Sequence, residues 1–142
     1  MKIRNKAIVS IINSGEVLFT EGYDPVRDFR FYCPVGGGVE FGETTHAAAE
    51  RELCEELGVE GQTLEFVNFH ENMFEFFGKD EHEIMFHFIC HISDSVRENL
   101  PAQVTESNGE KINISWHSKS ELEIIEPNIV PPGIYGELVN AL

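Results

Sequence analysis

Glu52, Glu55 and Glu56 stand at helical spacing in the run AAAERELCEEL, residues 47–57. At about 100° per residue the three share an arc of about 100°, while Leu53 and Leu57 point to another side, toward a core. Like charges at these spacings cost about 0.2–0.5 kcal/mol per pair in an isolated helix. Glu55 and Glu56 also meet the negative end of a helix that stops at Gly58. Nothing in the local sequence compensates this repulsion. Hard divalent cations such as Mg²⁺ prefer oxygen-rich carboxylate clusters, and a bound cation turns the repulsion into affinity. A solvated acidic face is the plainer explanation for three such residues, and their flanks argue against it.

Glycines stand at 36, 37 and 38 ahead of the acids, followed by Gly42 and Glu43, with Gly58-Val59 behind. From Gly37 the chain reads glycine, five residues, Glu43, seven residues, Arg51-Glu52-Leu53, one residue, Glu55-Glu56, one residue, Gly58-Val59. Residues 37–59 resemble the complete Nudix box of the MutT-like Nudix hydrolases. Each position also has a physical role of its own. The glycines let the backbone approach a ligand or metal. Thr44 or Thr45 suits the helix N-cap, with Glu43 near the positive end, and Gly58 suits the left-handed C-cap. Arg51, one turn from Glu55, is suited to hold the carboxylates in place.

The resemblance implies a hydrolase that uses Mg²⁺, with Mn²⁺ as the alternative, to cleave a diphosphate linked to another moiety, usually a nucleoside. Metal ions neutralise the charge developing on phosphorus and position the attacking water. By position Glu52, Glu55 and Glu56 match the metal-binding acids, and Gly37 matches a residue whose carbonyl joins the coordination. One carboxylate must also take the proton of water, and the sequence leaves open which. Outside the box, Glu110, six residues before Trp116 in EKINISW, resembles a loop glutamate that adds a metal ligand in MutT-type members. Glu83, in the strand-like run HEIMFHFICHI, is the other candidate metal ligand, and Glu106 ranks below both. Arg27, Arg30 and Glu43 are the candidate substrate contacts. The proline and tyrosine that mark two substrate branches beyond the box are absent; those neighbourhoods read Phe74-Glu75 and Phe76-Phe77. The substrate class is therefore a nucleoside diphosphate derivative. A Nudix-like module that binds a nucleotide without turnover is the alternative.

Positioning these residues requires a sheet. Residues 3–12 and 16–23 read as strands joined at Asn13-Ser14-Gly15, and Phe29–Cys33 as a third that stops at Pro34. A hairpin is expected from residues 63–77 and about 82–93, turning at Gly78-Lys79-Asp80. Residues 94–110 read as a mobile loop, 111–117 as a strand, and Pro132–Leu142 as a helix with proline at its start. The fold class is α/β, a Nudix-type α/β/α sandwich with a central mixed sheet, as one domain over residues 1–142. Two further patterns look structural. Phe66, Phe69, Phe74, Phe76 and Phe77 read as core, with one or two facing a cleft. His87 and His91 share a strand face but lie about 13 Å apart, too far for one zinc ion, and His82 is on the other face.

Composition bounds the partners. A net charge of −15 over 142 residues disfavours nucleic acid and anionic membranes, yet a metal-neutralised site admits a small diphosphate. No apolar run of about 18 residues is present to span a bilayer, and the N-terminus lacks a signal-peptide pattern. A cytoplasmic protein, monomer or homodimer, is expected. Cys33, Cys54 and Cys90 are scattered and read as small, reduced core residues.

Overall fold

The computed structural model describes residues 1–106 and 108–142. Its hub is strand β1 (Ile3–Asn13), which turns through Ser14 and Gly15, both at positive φ, into β2 (Glu16–Asp24). β1 pairs with β2 only over Ile11–Asn13; beyond this the two diverge. β2 takes β3 (Phe29–Cys33) and β8 (Lys111–Ser118) as antiparallel partners. The start of β1 is taken by β4 (Val35–Gly38) on one side and by β6 (Lys79–His91), in parallel register, on the other. β5 (Glu65–Phe76) pairs with β6, and β7 (Gln103–Thr105) with β8. The sheet order is β5-β6-β1-β2-β8-β7, with β3 attached to β2 and β4 to β1.

Every residue of β1 from Ala7 to Asn13 is buried because helices cover both faces. Ala7, Val9 and Ile11, with Phe88 and Cys90 of β6, pack under Ala48, Ala49, Leu53 and Leu57 of α1 (Thr45–Leu57). Ile8 and Ile12, with Met85 and Ile89, pack under α3 (Lys119–Ile125) and α4 (Ile134–Ala141) through Leu122, Ile134 and Leu138. The expected α/β/α arrangement around a mixed sheet is what forms. The period-2 alternation of β1 and β6 decides which side chains serve which face.

Several segments differ from the sequence reading. Among the described residues of 94–110, which leave out residue 107, two elements form: α2 (Asp94–Glu98) is capped by Ser93, and β7 buries Val104. Arg97 of α2 bonds Asn13 and Glu16 and lies 3.9 Å over the Trp116 ring, which ties this segment to the β1–β2 hairpin. α3 was not expected, although Ser118 and Glu121 form a reciprocal capping box at its start. The glycine run forms a strand of its own, β4: Gly36 lies so close to β1 that a Cβ there would collide with the Ala7 carbonyl. β5 is an edge strand, so Phe66, Phe69 and Phe77 are half exposed instead of core, while Phe76 packs edge-on against Phe31. Of the cysteines only Cys90 is fully buried; Cys54 is exposed on α1.

Gly36→Ala must push β4 off β1. We expect a loss of about 1–3 kcal/mol in urea unfolding, against a change within about 0.5 kcal/mol for Gly38→Ala, whose Cβ would meet open space.

Candidate active site

The helix that carries the acids is fixed at both ends. The Thr44 hydroxyl accepts from the Ala47 N–H at 3.0 Å, and Gly58 takes the left-handed conformation while its N–H bonds the Cys54 carbonyl. Pinned in this way, α1 aims Arg51 at the loop ahead of it. Arg51 Nε and Nη2 donate to the two oxygens of Glu43 at 2.8 and 2.9 Å, Nη2 also to the Gly38 carbonyl at 2.9 Å, and Nη1 to Glu52 at 3.0 Å and Glu55 at 3.3 Å. The Arg51 hydrogen bonds hold the Glu43 carboxyl down at about 2, with help from the Glu40 N–H. Glu43 therefore braces the loop through Arg51, and both its oxygens are occupied.

The three box acids have different environments. Glu55 is exposed, Glu52 is buried, and Glu56 lies between. Glu52 presses against Gly37, where any Cβ would strike its carboxylate. This close approach, not a positive φ, is why glycine stands at 37. Burial pushes the Glu56 carboxyl up to about 8, reinforced by the charges of Glu106 and Glu52, while the Gly36 N–H pulls the other way. Glu106, which follows β7, is itself raised by burial and by Glu52 and Glu110. The acid from outside the helix that the fold brings to Glu52 and Glu56 is thus Glu106. Glu110 is exposed and acts on Glu106 alone among the raised acids.

The other candidates are engaged in pairs of their own. Glu83 is buried on β6 and neutralised by Arg4 and by Lys6, whose Nζ is 3.3 Å away. Arg27 donates to Asp24 and lies over the Phe29 ring, and Arg30 lies over Tyr23, so both brace the β2–β3 hairpin. Besides Arg51, Lys6 acts on this corner, since its charge works to lower both Glu106 and Cys33. No sequence signal singled it out; it is placed by the β1–β4 register, which sets it opposite Gly38.

The carboxylates of Glu52, Glu55, Glu56 and Glu106 could offer only oxygen donors to a metal, which suit Mg²⁺ or Mn²⁺ better than softer metals. The profile of the NUDIX domain matches residues 1–134. The chain belongs to the NUDIX family. It is accordingly a hydrolase of the pyrophosphate-cleaving class. This Nudix chain superposes on a MutT NUDIX hydrolase from Burkholderia pseudomallei with a TM-score of 0.63 at 17% identity, covering 86% of this chain and 88% of that one. The E. coli ORF135 protein gives 0.60 at 25% identity, covering 99% and 89%. MutT from Aliivibrio salmonicida and Vibrio cholerae gives 0.63 at 20%, covering 99% and 100%. A search of the curated proteins gave no match. No helix among the described residues is long and apolar enough to cross a membrane.

Glu56 holds its proton more tightly folded than unfolded, so between about 4.5 and about 8 the folded state carries the extra proton and stability falls as pH rises. With chelator present, we expect the melting temperature of the wild type to fall more steeply from about pH 6.5 to about pH 8 than that of Glu56→Gln. Saturating Mg²⁺ should remove the difference, because a cation offsets the charge that the proton offset. Parallel curves for the two proteins in chelator would contradict the assignment of this proton to Glu56.

Proposed function

We propose that this Nudix chain is a divalent-cation-dependent hydrolase that cleaves the pyrophosphate linkage of a nucleoside diphosphate derivative by water attack at phosphorus. One observation supports this reading: Glu56 is enclosed beside Glu52 and Glu106, whose charges add to burial in raising its proton affinity, and Glu106 is itself raised by burial and by Glu52. Such crowding is unfavourable in the free protein and becomes favourable once a divalent cation is held there.

In this reading Glu52, Glu55, Glu56 and Glu106 hold Mg²⁺ or Mn²⁺, with Gly37 leaving room for the Glu52 carboxylate. When bound, the ion neutralises phosphate charge and lowers the pKa of the attacking water. Arg51 keeps Glu52 and Glu55 aimed at the site and ties them to Glu43 and Gly38, which fixes the distance between helix and β4. Lys6, paired with Glu83 but with its charge felt at Glu106, offers a cation to the diphosphate from β1, whereas Arg27 and Arg30 serve the β2–β3 hairpin. One glutamate of the set takes the proton of the water.

A screen of nucleoside diphosphate sugars, dinucleoside polyphosphates and oxidised nucleoside triphosphates with Mg²⁺ tests the reading. We expect phosphate or nucleotide release from at least one compound, lost with chelator, and kcat reduced by about 10²–10⁴ in Glu52→Gln and Glu56→Gln. Glu106→Gln should lose more activity than Glu110→Gln, and Lys6→Ala should raise KM. No hydrolysis of any compound, with nucleotide binding unchanged in the glutamine variants, would mean a binding module and sink the enzymatic proposal.

A further inference from the structure

On the sheet face opposite α1, three side chains from three elements meet: His70 of β5, His87 of β6 and Glu137 of α4. Glu137 Oε1 lies 2.9 Å from His70 Nε2 and 2.8 Å from His87 Nδ1, and the three donor atoms all fall within 4.8 Å of one another. We propose that His70, His87 and Glu137 form a second metal site, for a divalent transition-metal ion of the Zn²⁺ type, which clamps α4 onto the β5–β6 hairpin.

Four features point this way. The first is spacing. A tetrahedral ion bonded at about 2.0–2.1 Å holds its ligand atoms about 3.3 Å apart, so the two Glu137 contacts must widen by a few tenths of an ångström while the two histidine nitrogens, within 4.8 Å of each other, draw together by a side-chain adjustment. The second is donor chemistry. Two imidazoles and one carboxylate favour Zn²⁺, Co²⁺ or Ni²⁺ over Mg²⁺, so this set selects a different metal from the oxygen cluster on the other face.

The third is the proton balance at His87. A carboxylate only accepts, so without an ion His87 Nδ1–H donates to Glu137 and the buried Ser10 hydroxyl donates to Nε2 at 2.7 Å. To bind an ion His87 must release the Nδ1 proton and carry one on Nε2. A hydroxyl can reverse its role and accept, so Ser10 supports the metal-binding tautomer as well as the free one. Orientation of a ligating imidazole by an outer partner is the usual arrangement at such sites. The fourth is access. His70 lies at the rim of a surface concavity lined by Asn72, Pro131, Pro132 and Gly133, which leaves a path for the ion and a place for a water as fourth ligand. Gly133 is what admits the ring: a Cβ there would come within 2.5 Å of His70 Nδ1.

Tag-free full-length protein, stripped with chelator and then saturated with Mg²⁺ to fill the oxygen site, is titrated with Zn²⁺ and, separately, with Co²⁺. We expect one saturable Zn²⁺ site, a raised melting temperature, and Co²⁺ visible absorption of the strength typical of a four-coordinate nitrogen-containing site. His70→Ala, at the rim and outside the catalytic cluster, should weaken Zn²⁺ by more than the roughly 100-fold that loss of an outer partner costs, and should leave Mg²⁺-dependent hydrolysis unchanged. Glu56→Gln should leave the Zn²⁺ site intact. If wild type shows no saturable Zn²⁺ binding under Mg²⁺, or if His70→Ala binds Zn²⁺ as tightly as wild type, the cluster is a hydrogen-bonded lock and the proposal is overturned.

Discussion

Arg51 sets one guanidinium among three carboxylates and a strand carbonyl, and the active-site corner is organised around that contact. Its planar fork suits the task, since it serves Glu43 through two parallel bonds while its remaining N–H groups reach Glu52 and Glu55. A lysine would offer one point charge in place of this bracket. Because the same side chain grips both the helix and β4, the acids cannot drift from the Gly37 backbone that faces Glu52. The net effect is an uneven cluster. Glu43 is held deprotonated, whereas Glu56, beyond the reach of Arg51 and half enclosed, retains its proton toward neutral pH.

β1 connects this corner to the rest of the molecule. β6 runs beside it from Ile3 to Ile12, β4 takes the other side over Lys6–Val9, and β2 pairs only over Ile11–Asn13 before the two diverge. The parity of β1 and β6 then separates two polar groups. Residues facing α1 pack beneath the helix with the acids, and residues facing α4 include Ser10, Met85, His87 and Ile89. The acids are carried by α1 on one side, and His70, His87 and Glu137 meet on the other. Pleating decides the side for Ser10 and His87, because a slip of one residue would turn them to the α1 face.

The parts of the fold carried by short-range signals were legible. The Asn13-Ser14-Gly15 turn, the Thr44 and Gly58 caps and the helix between them all depend on residues within a few positions of one another. The segment 94–110 misled because its polar, turn-rich composition resembles a loop. Its order comes from Arg97 reaching back to Asn13, Glu16 and Trp116, and that contact has no local trace. The Ser118–Glu121 capping box was a local signal for α3, masked by the strand that runs directly into it. The β5 aromatics show the converse failure: strand propensity was plain, but whether a strand lies centrally or at an edge depends on sheet order, which put Phe66 and Phe69 half in solvent.

What the sequence determined by itself was the helix, its caps and the acids on it, together with the membership that the box spacing announced. These lie within 23 residues, and the geometry of one helix converts such spacing directly into positions. Tertiary structure set the surroundings of the acids outside the helix. It placed Glu106 where its charge adds to that of Glu52 on Glu56, left Glu110 exposed and paired Glu83 with Arg4 and Lys6. It also assembled His70, His87 and Glu137 from positions up to 67 residues apart. The spacing argument along β6 concerned only His82, His87 and His91; contacts between elements are set by register and packing, and no local pattern encodes them.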